Sequence, residues 1–317
     1  MLRRLLVLIA TLALAFGLSA CSRTDALRSA AEMCDPQGKY VGGIQRFAVN
    51  TPDEGPRQYL LSIPRTYHPD VKTPVVVLFH GLGNTPRMML HSTGMVDAAD
   101  SGGYILVAPV GKPRPSANGP KPGWGLSGQN YLNDVAAVRR ILADVEARAC
   151  VDTDRIYAAG FSNGSAFALK MSCRNELDFR AFAAVSAPYW SRECADSAPE
   201  PVLYMHGTKD PTIRFGGGDS IIGPTVSVNS FLAHRAVANE CQLPSINSSE
   251  TEHVKRRFWE GCNVTDGFRN DLEAFIVKGG RHRWPGASPP LLAPAKGDAS
   301  QEISASDLIL TFFSGQR

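Results

Sequence analysis

The stretch of this chain best suited to chemistry is Gly160-Phe161-Ser162-Asn163-Gly164. A serine between two glycines fits the G-x-S-x-G nucleophile elbow, in which a strand turns sharply into a helix and lifts the hydroxyl clear of the sheet edge. Each glycine has a physical reason, since a Cβ two residues before or after the serine would collide with neighbouring backbone. The pattern alone is short, but its context is strand, turn and helix. Arg155-Ile156-Tyr157-Ala158-Ala159 is apolar and bounded by Asp154 and Gly160, as a buried strand should be, and Ala166–Ser172 has helix formers and no proline.

A serine hydroxyl needs a base to take its proton, and the base needs an acid to orient it. In sheets of this kind the catalytic loops follow the C-terminal ends of strands, in chain order serine, acid, histidine. Downstream of Ser162 the histidines are His206, His234, His253 and His282. His206 ends a strand before a glycine and reads as a turn-shaping residue. His234 falls in a helix and His253 in a polar run. His282 lies in a glycine-flanked loop after the last expected strand and is the expected base. Asp210, just past a strand end, is the expected acid, with Asp219 as rival. The oxyanion donors are expected to be the amides of Asn163 and of Leu82, which follows His80-Gly81. His80 itself precedes the serine and reads as structural.

These groups must be held by an alternating frame. Gln58–Pro64 reads as a strand and Thr73–His80 as a central strand buried on both faces. A helical stretch to about Ala99 and a strand over Tyr104–Pro109 follow. Gly111–Gln129 reads as a long loop. Leu132–Ala149 carries a helical apolar stripe, with Asn133 and Asp134 placed as caps. Strands are expected at Ala181–Ser186, Pro201–His206, Val254–Trp259 and Leu272–Val277, and helices at Val226–Ala238 and Ser304–Phe313. The fold class is α/β, a mostly parallel central sheet with helices on both faces.

The chain has 317 residues, 44% hydrophobic and 20% charged, an ordinary globular composition. Its formal charge is +3, of which Arg3 and Arg4 supply two, leaving about +1 without them. No basic stripe argues for nucleic acid. Arg3-Arg4 and the apolar run Leu5–Phe16 read as a signal peptide over residues 1–20. Leu18-Ser19-Ala20-Cys21 resembles a bacterial lipobox, so Cys21 is the expected lipidation site. Residues 21–45 form the expected tether and 46–317 the catalytic domain. Ser22 favours the outer membrane in a host that has one, and free secretion is the alternative. Seven cysteines less Cys21 leave six, an even number in an exported chain, which points to disulfides. Of 15 possible pairings we expect Cys34–Cys150, Cys173–Cys194 and Cys241–Cys262. There is no metal-binding cysteine or histidine cluster, and no cofactor is expected.

Four motifs in order carry a family resemblance: His80-Gly81-Leu82, Gly160-Phe161-Ser162-Asn163-Gly164, His206-Gly207-Thr208-Lys209-Asp210 and Gly280-Arg281-His282-Arg283-Trp284-Pro285-Gly286. Together they resemble the polyhydroxybutyrate depolymerase and feruloyl esterase group, a carbohydrate-esterase-like branch of the α/β-hydrolases. The resemblance spans roughly residues 45–315. It implies an α/β-hydrolase fold and a serine esterase with Ser162 as nucleophile, His282 as base and then acid, and Asp210 as orienting carboxylate. Two positions depart from the pattern: Ser165 and Arg281 stand where the family often has glycine.

The implied substrates are feruloyl or acetyl esters of plant polysaccharide, or related short-chain esters. Polyhydroxybutyrate oligomers are one alternative and a non-catalytic envelope scaffold is another. Trp124 and Trp284 are the expected cleft-lining aromatics, with Arg214–Gly218 as part of the rim. The only membrane contact expected is through the N-terminal lipid.

Overall fold

In a computed structural model of the protein the described residues are 43–51, 55–243, 247–265, 267–288 and 301–316. The expected signal peptide, Cys21, most of the tether and Cys34 lie outside them. One large sheet holds strands β1 (Gly43–Thr51), β2 (Gly55–Ile63), β3 (Thr73–Phe79), β4 (Ile105–Pro109), β7 (Val151–Phe161), β8 (Ala181–Val185), β9 (Val202–Gly207), β10 (Asn247–Glu250), β11 (Val254–Trp259) and β14 (Leu272–Val277). Their order is β1-β2-β4-β3-β7-β8-β9-β14-β11-β10. The run from β4 through β14 is parallel, and antiparallel pairs close both edges. The parallel register puts the C-terminal ends of β3, β7, β9 and β14 on one side, where all four motifs emerge.

Side chains alternate between the two faces. Val75, Val77, Phe79, Ile156 and Ala158 share one core with helices α3 (Gly128–Glu146), α4 (Asn163–Arg174) and α5 (Val228–Ala238). Val76, Leu78, Tyr157, Ala159 and Phe161 share the other with α1 (Pro86–Ser92), α2 (Met95–Gly102) and α6 (Ala305–Gly315). β3 is buried along its whole length, which is why its sequence is a near-continuous apolar run.

Several boundaries differ from the sequence expectation. β1 opens at Gly43, ahead of the expected domain start at 46, and pairs with β2 along its length. The helical stretch before Ala99 is two helices, broken at Gly94 with φ 71°. The expected loop at 111–129 contains a hairpin of β5 (Lys112–Arg114) and β6 (Lys121–Gly123), and α3 starts inside it. A second small hairpin joins β12 (Val264–Thr265) to β13 (Phe268–Arg269). Asn133 and Asp134 are not caps, because Ser127 holds that position. Asp134 is buried within α3 and accepts from Arg57 (2.7 Å), Arg114 (2.7 Å) and the Gly125 amide (2.7 Å). A carboxylate this deep persists only because every approach is a charge-assisted donor, and it fixes the β5–β6 hairpin against the sheet.

Cys173–Cys194 and Cys241–Cys262 are disulfides. Cys150 is also disulfide-bonded, and its expected partner Cys34 lies outside the described residues. Among the described residues no helix is long and apolar enough to cross a membrane.

Candidate active site

Ser162 joins β7 to α4 with φ 54° and ψ −122°, a conformation that non-glycine residues rarely adopt. The flanking glycines are required by backbone, not by taste for flexibility. A Cβ on Gly160 would stand 2.3 Å from the Gly164 carbonyl oxygen, and one on Gly164 would stand 2.3 Å from that of Phe79. The Ser162 amide donates to Val185 (2.8 Å), tying the turn to β8.

The acid and base loops leave adjacent strands β9 and β14 and are stitched together. Thr208 donates to Val277 (2.9 Å), Lys209 to Gly280 (2.9 Å), and the Gly279 amide to the Thr208 hydroxyl (2.8 Å). A Cβ on Gly207 would lie 2.3 Å from Gly280 O, so only glycine permits this crossing. The result brings His282 Nδ1 to 2.7 Å from Asp210 Oδ2 and His282 Nε2 to 2.8 Å from Ser162 Oγ. A carboxylate only accepts, so Nδ1 carries the proton and Nε2 is left to accept from the serine hydroxyl. Asp210 Oδ1 accepts from the amides of Thr212 (2.8 Å) and Ile213 (2.9 Å), which keeps Oδ2 aimed at His282. Among the described residues the rival Asp219 bonds through its backbone carbonyl, to Arg214. His234 stacks on Trp190, and His253 pairs with Glu302.

The loop after β3 abuts the elbow: a Cβ on Gly81 would meet Ser162 Cβ at 3.2 Å. Among the described residues neither the Leu82 nor the Asn163 amide has an acceptor, whereas the next amide, Gly83, donates to Pro122 (2.7 Å). His80 is buried between two loops. Its Nε2 accepts from the Gly111 amide (2.9 Å), so Nδ1 carries the proton toward Gly81 O (2.8 Å). Burial pushes its pKa down to about 4, and the ring is neutral.

Neither expected aromatic lines the cleft. Trp124 and Trp284 are each 2% exposed. Trp124 stacks on Phe167, edges Phe79 and donates its indole N–H to His80 O (2.8 Å). Trp284 packs near Phe161 and donates to Ser306 Oγ (3.1 Å). Both faces are spent on the interior. Of the two departures, Ser165 is buried and donates to Ala187 O (2.8 Å), tying α4 to the loop after β8, and Arg281 is exposed beside the base.

The family described as "Putative esterase" matches residues 54–254. The chain belongs to this esterase family. The esterase is 26% identical over 274 residues to "Putative esterase NocK" of Nocardia uniformis subsp. tsuyamanensis, covering 76% of this chain and 74% of that protein. It is also 26% identical over 240 residues to "Probable feruloyl esterase C" of Aspergillus terreus, covering 73% of this chain and 77% of the relative. In structure it resembles the acetyl xylan esterase from Aspergillus awamori, with TM-score 0.58 and 14% identity over 86% of this chain and 100% of that one. An S-formylglutathione hydrolase from Agrobacterium tumefaciens gives TM-score 0.54 and 14% identity over 79% and 92%. The fold is therefore the α/β-hydrolase fold, and the protein is a carboxylic-ester hydrolase.

Three side chains at the site carry more than the sequence indicated. His206 Nε2 donates to Ile213 O (2.9 Å) and comes within 3.4 Å of Asp210 Oδ2, while its Nδ1 accepts from Tyr204 Oη (2.7 Å). The side chain of Asn163 grips both polar atoms of the Trp124 backbone, accepting from N (2.6 Å) and donating to O (3.1 Å). Lys170 is the one cation in the stretch Asn163–Cys173 of α4, every residue of which is buried. A lysine in such a run was the available signal, because a buried ammonium must have a cage of partners.

Proposed function

We propose that the protein is an exported serine esterase that cleaves feruloyl or acetyl esters of polysaccharide, or related short-chain esters, through an acyl-enzyme. The single observation that carries this reading is the unbroken chain Ser162 Oγ, His282 Nε2, His282 Nδ1, Asp210 Oδ2, with links of 2.8 and 2.7 Å. His282 takes the Ser162 proton as Oγ attacks the ester carbonyl. The carbonyl oxygen becomes an oxyanion facing the Leu82 and Asn163 amides at the amino end of α4. His282 then hands the proton to the leaving alcohol, and the C–O bond breaks. Water enters, gives its proton to His282 and attacks the acyl carbon, and the proton returns to Ser162 as the acid leaves. Asp210 keeps its hydrogen bond to His282 Nδ1 throughout and so orients and stabilises the imidazolium.

Export is supported by the n-region and apolar run of residues 1–20 and by the disulfides, which persist in oxidising compartments. Cys21 is the proposed lipid anchor, and the relatives named as feruloyl esterase motivate the substrate class. The test is a screen of the purified protein against methyl ferulate, acetylated xylan, p-nitrophenyl esters and hydroxybutyrate oligomers. Ser162→Ala should lower turnover by about 10⁴-fold or more. Retention of most activity by that variant refutes the reading. Release of hydroxybutyrate alone moves the substrate to polyester oligomers.

A further inference from the structure

Lys170 is a buried cation with no part in the chemistry above. Its Nζ donates to Leu126 O (3.1 Å) and Tyr189 Oη (3.2 Å), and lies 3.7 Å from Glu193 Oε2. It also stands 4.6 Å and 5.5 Å from the ring centres of Tyr131 and Tyr189. An ammonium taken this far out of water is held only where such partners replace its hydration. Its partners come from separate segments. Leu126 belongs to the stretch between β6 and α3, Tyr189 to the loop after β8, and Lys170 itself to the helix that starts at the nucleophile.

Those two segments are tied to the first turn of α4, the one through Asn163 to Trp124 and the other through Ser165 to Ala187. Half-buried Leu126, Tyr189 and Ile222 pack on Ala166, Ala187 and Ile213, a small apolar cluster that Leu126 and Tyr189 join to the first core. Its floor is bonded to the site itself. The Ala166 amide donates to Ser162 O (3.0 Å), Ser165 Oγ to Ala187 O (2.8 Å), and the Ile213 amide to Asp210 (2.9 Å). An apolar patch at this place is where an acyl group held on Ser162 would rest. An acetyl group is too short to use its walls, whereas a flat aromatic acyl group covers them.

We propose that Lys170 is a specificity-determining positioning residue: it latches Leu126 and Tyr189 as the walls of an apolar acyl subsite and so favours flat, bulky acyl groups over acetate. This rests on the reading of Ser162 as nucleophile. Contacts of one methylene in such pockets are worth about 10–200-fold in discrimination, so a slackened wall is measurable.

The experiment compares kcat/KM for p-nitrophenyl ferulate and p-nitrophenyl acetate, each divided by its rate of alkaline hydrolysis, in the full chain and in Lys170→Met and Tyr189→Phe. A ratio of two substrates does not depend on the fraction of active protein, so partial misfolding cannot imitate the result. The ferulate-to-acetate ratio should exceed one in the wild type, fall about 10-fold in Lys170→Met and about 3-fold in Tyr189→Phe, with no further loss in the double variant, since both break one contact. A ratio that stays within about 2-fold of wild type in Lys170→Met overturns the latch, as does a wild-type ratio below one. Ser162→Ala is run alongside: if it hydrolyses both esters at the wild-type rate, the nucleophile reading fails, whereas Ser162-dependent hydrolysis with an unmoved ratio overturns the latch alone.

Discussion

His206 donates to the carbonyl of Ile213, 2.9 Å away, while the amide of that same Ile213 donates to Asp210. One turn, residues 210–213, is thus pinned at its carbonyl by His206 and spends its amides on the carboxylate. Tyr204 fixes the tautomer by donating to His206 Nδ1. Burial pushes the His206 pKa down to about 4, so a second imidazolium does not compete with His282 for Asp210. His206→Gln should lower kcat by about 10-fold or more while KM moves little, because the acid is misplaced and the cleft is not. Tyr204→Phe should show a smaller loss of the same kind. Steady-state kinetics on a p-nitrophenyl ester decide it, and a loss confined to KM speaks against the positioning role.

Stability should depend on pH through His80 and His206. Both have folded pKa values near 4, below the unfolded value of 6.5. Between these limits the unfolded chain binds more protons, so their contribution is whole above about pH 6.5 and is lost as pH falls toward 4. Burial of Glu200 raises its pKa to about 8 and acts in the opposite sense above pH 4.5, so the test is differential. The stability gap between wild type and His80→Gln, from urea melts, should shrink as pH falls from 7 to 5. A gap that is constant over that range contradicts the assignment.

Asp134 neutralises two buried arginines, Arg57 and Arg114, and accepts a third bond from Gly125. Asp134→Ala removes the carboxylate that both guanidinium groups face and should cost about 3–5 kcal/mol. Thermal unfolding should show a markedly lower Tm. An unchanged Tm shows that water reaches the pair.

Cys173–Cys194 ties the end of α4 to the loop that carries Tyr189. Replacing both cysteines with serine should reduce stability by about 2–4 kcal/mol, read from denaturant midpoints. The midpoint should fall and the slope should rise, because a denatured chain without the cross-link exposes more surface.

Much of the frame was legible because local pattern and tertiary role agree. β3 reads as buried because all of Thr73–Phe79 is buried, and the glycines at 160 and 164 announce a turn that only glycine fits. The β5–β6 hairpin was not legible. Lys112-Pro113-Arg114 and Lys121-Pro122-Gly123 have no strand character, and they pair because Pro122 O meets Gly83 and Arg114 meets Asp134. The first half of β7, Asp152–Arg155, is polar because it stands at the sheet margin, where pairing with β3 is interrupted. Trp124 looked like a cleft residue because it follows a loop-like run, yet its partners Phe79 and Phe167 are remote in sequence. Chain order and loop position pointed to Ser162, Asp210 and His282, and the structure sets them 2.7 to 2.8 Å apart. The support from His206 and Asn163 was not readable, since it consists of contacts between segments that no local pattern links, and for Lys170 the one signal was a cation in an apolar helical run.

The central claim is that Ser162 is the nucleophile. The most direct measurement treats the protein with a fluorophosphonate and locates the adduct by peptide mass spectrometry while following p-nitrophenyl acetate hydrolysis. One adduct is expected, on Ser162, with activity lost in proportion to labelling and no adduct in Ser162→Ala. An adduct on another residue, or full turnover by fully labelled protein, contradicts it.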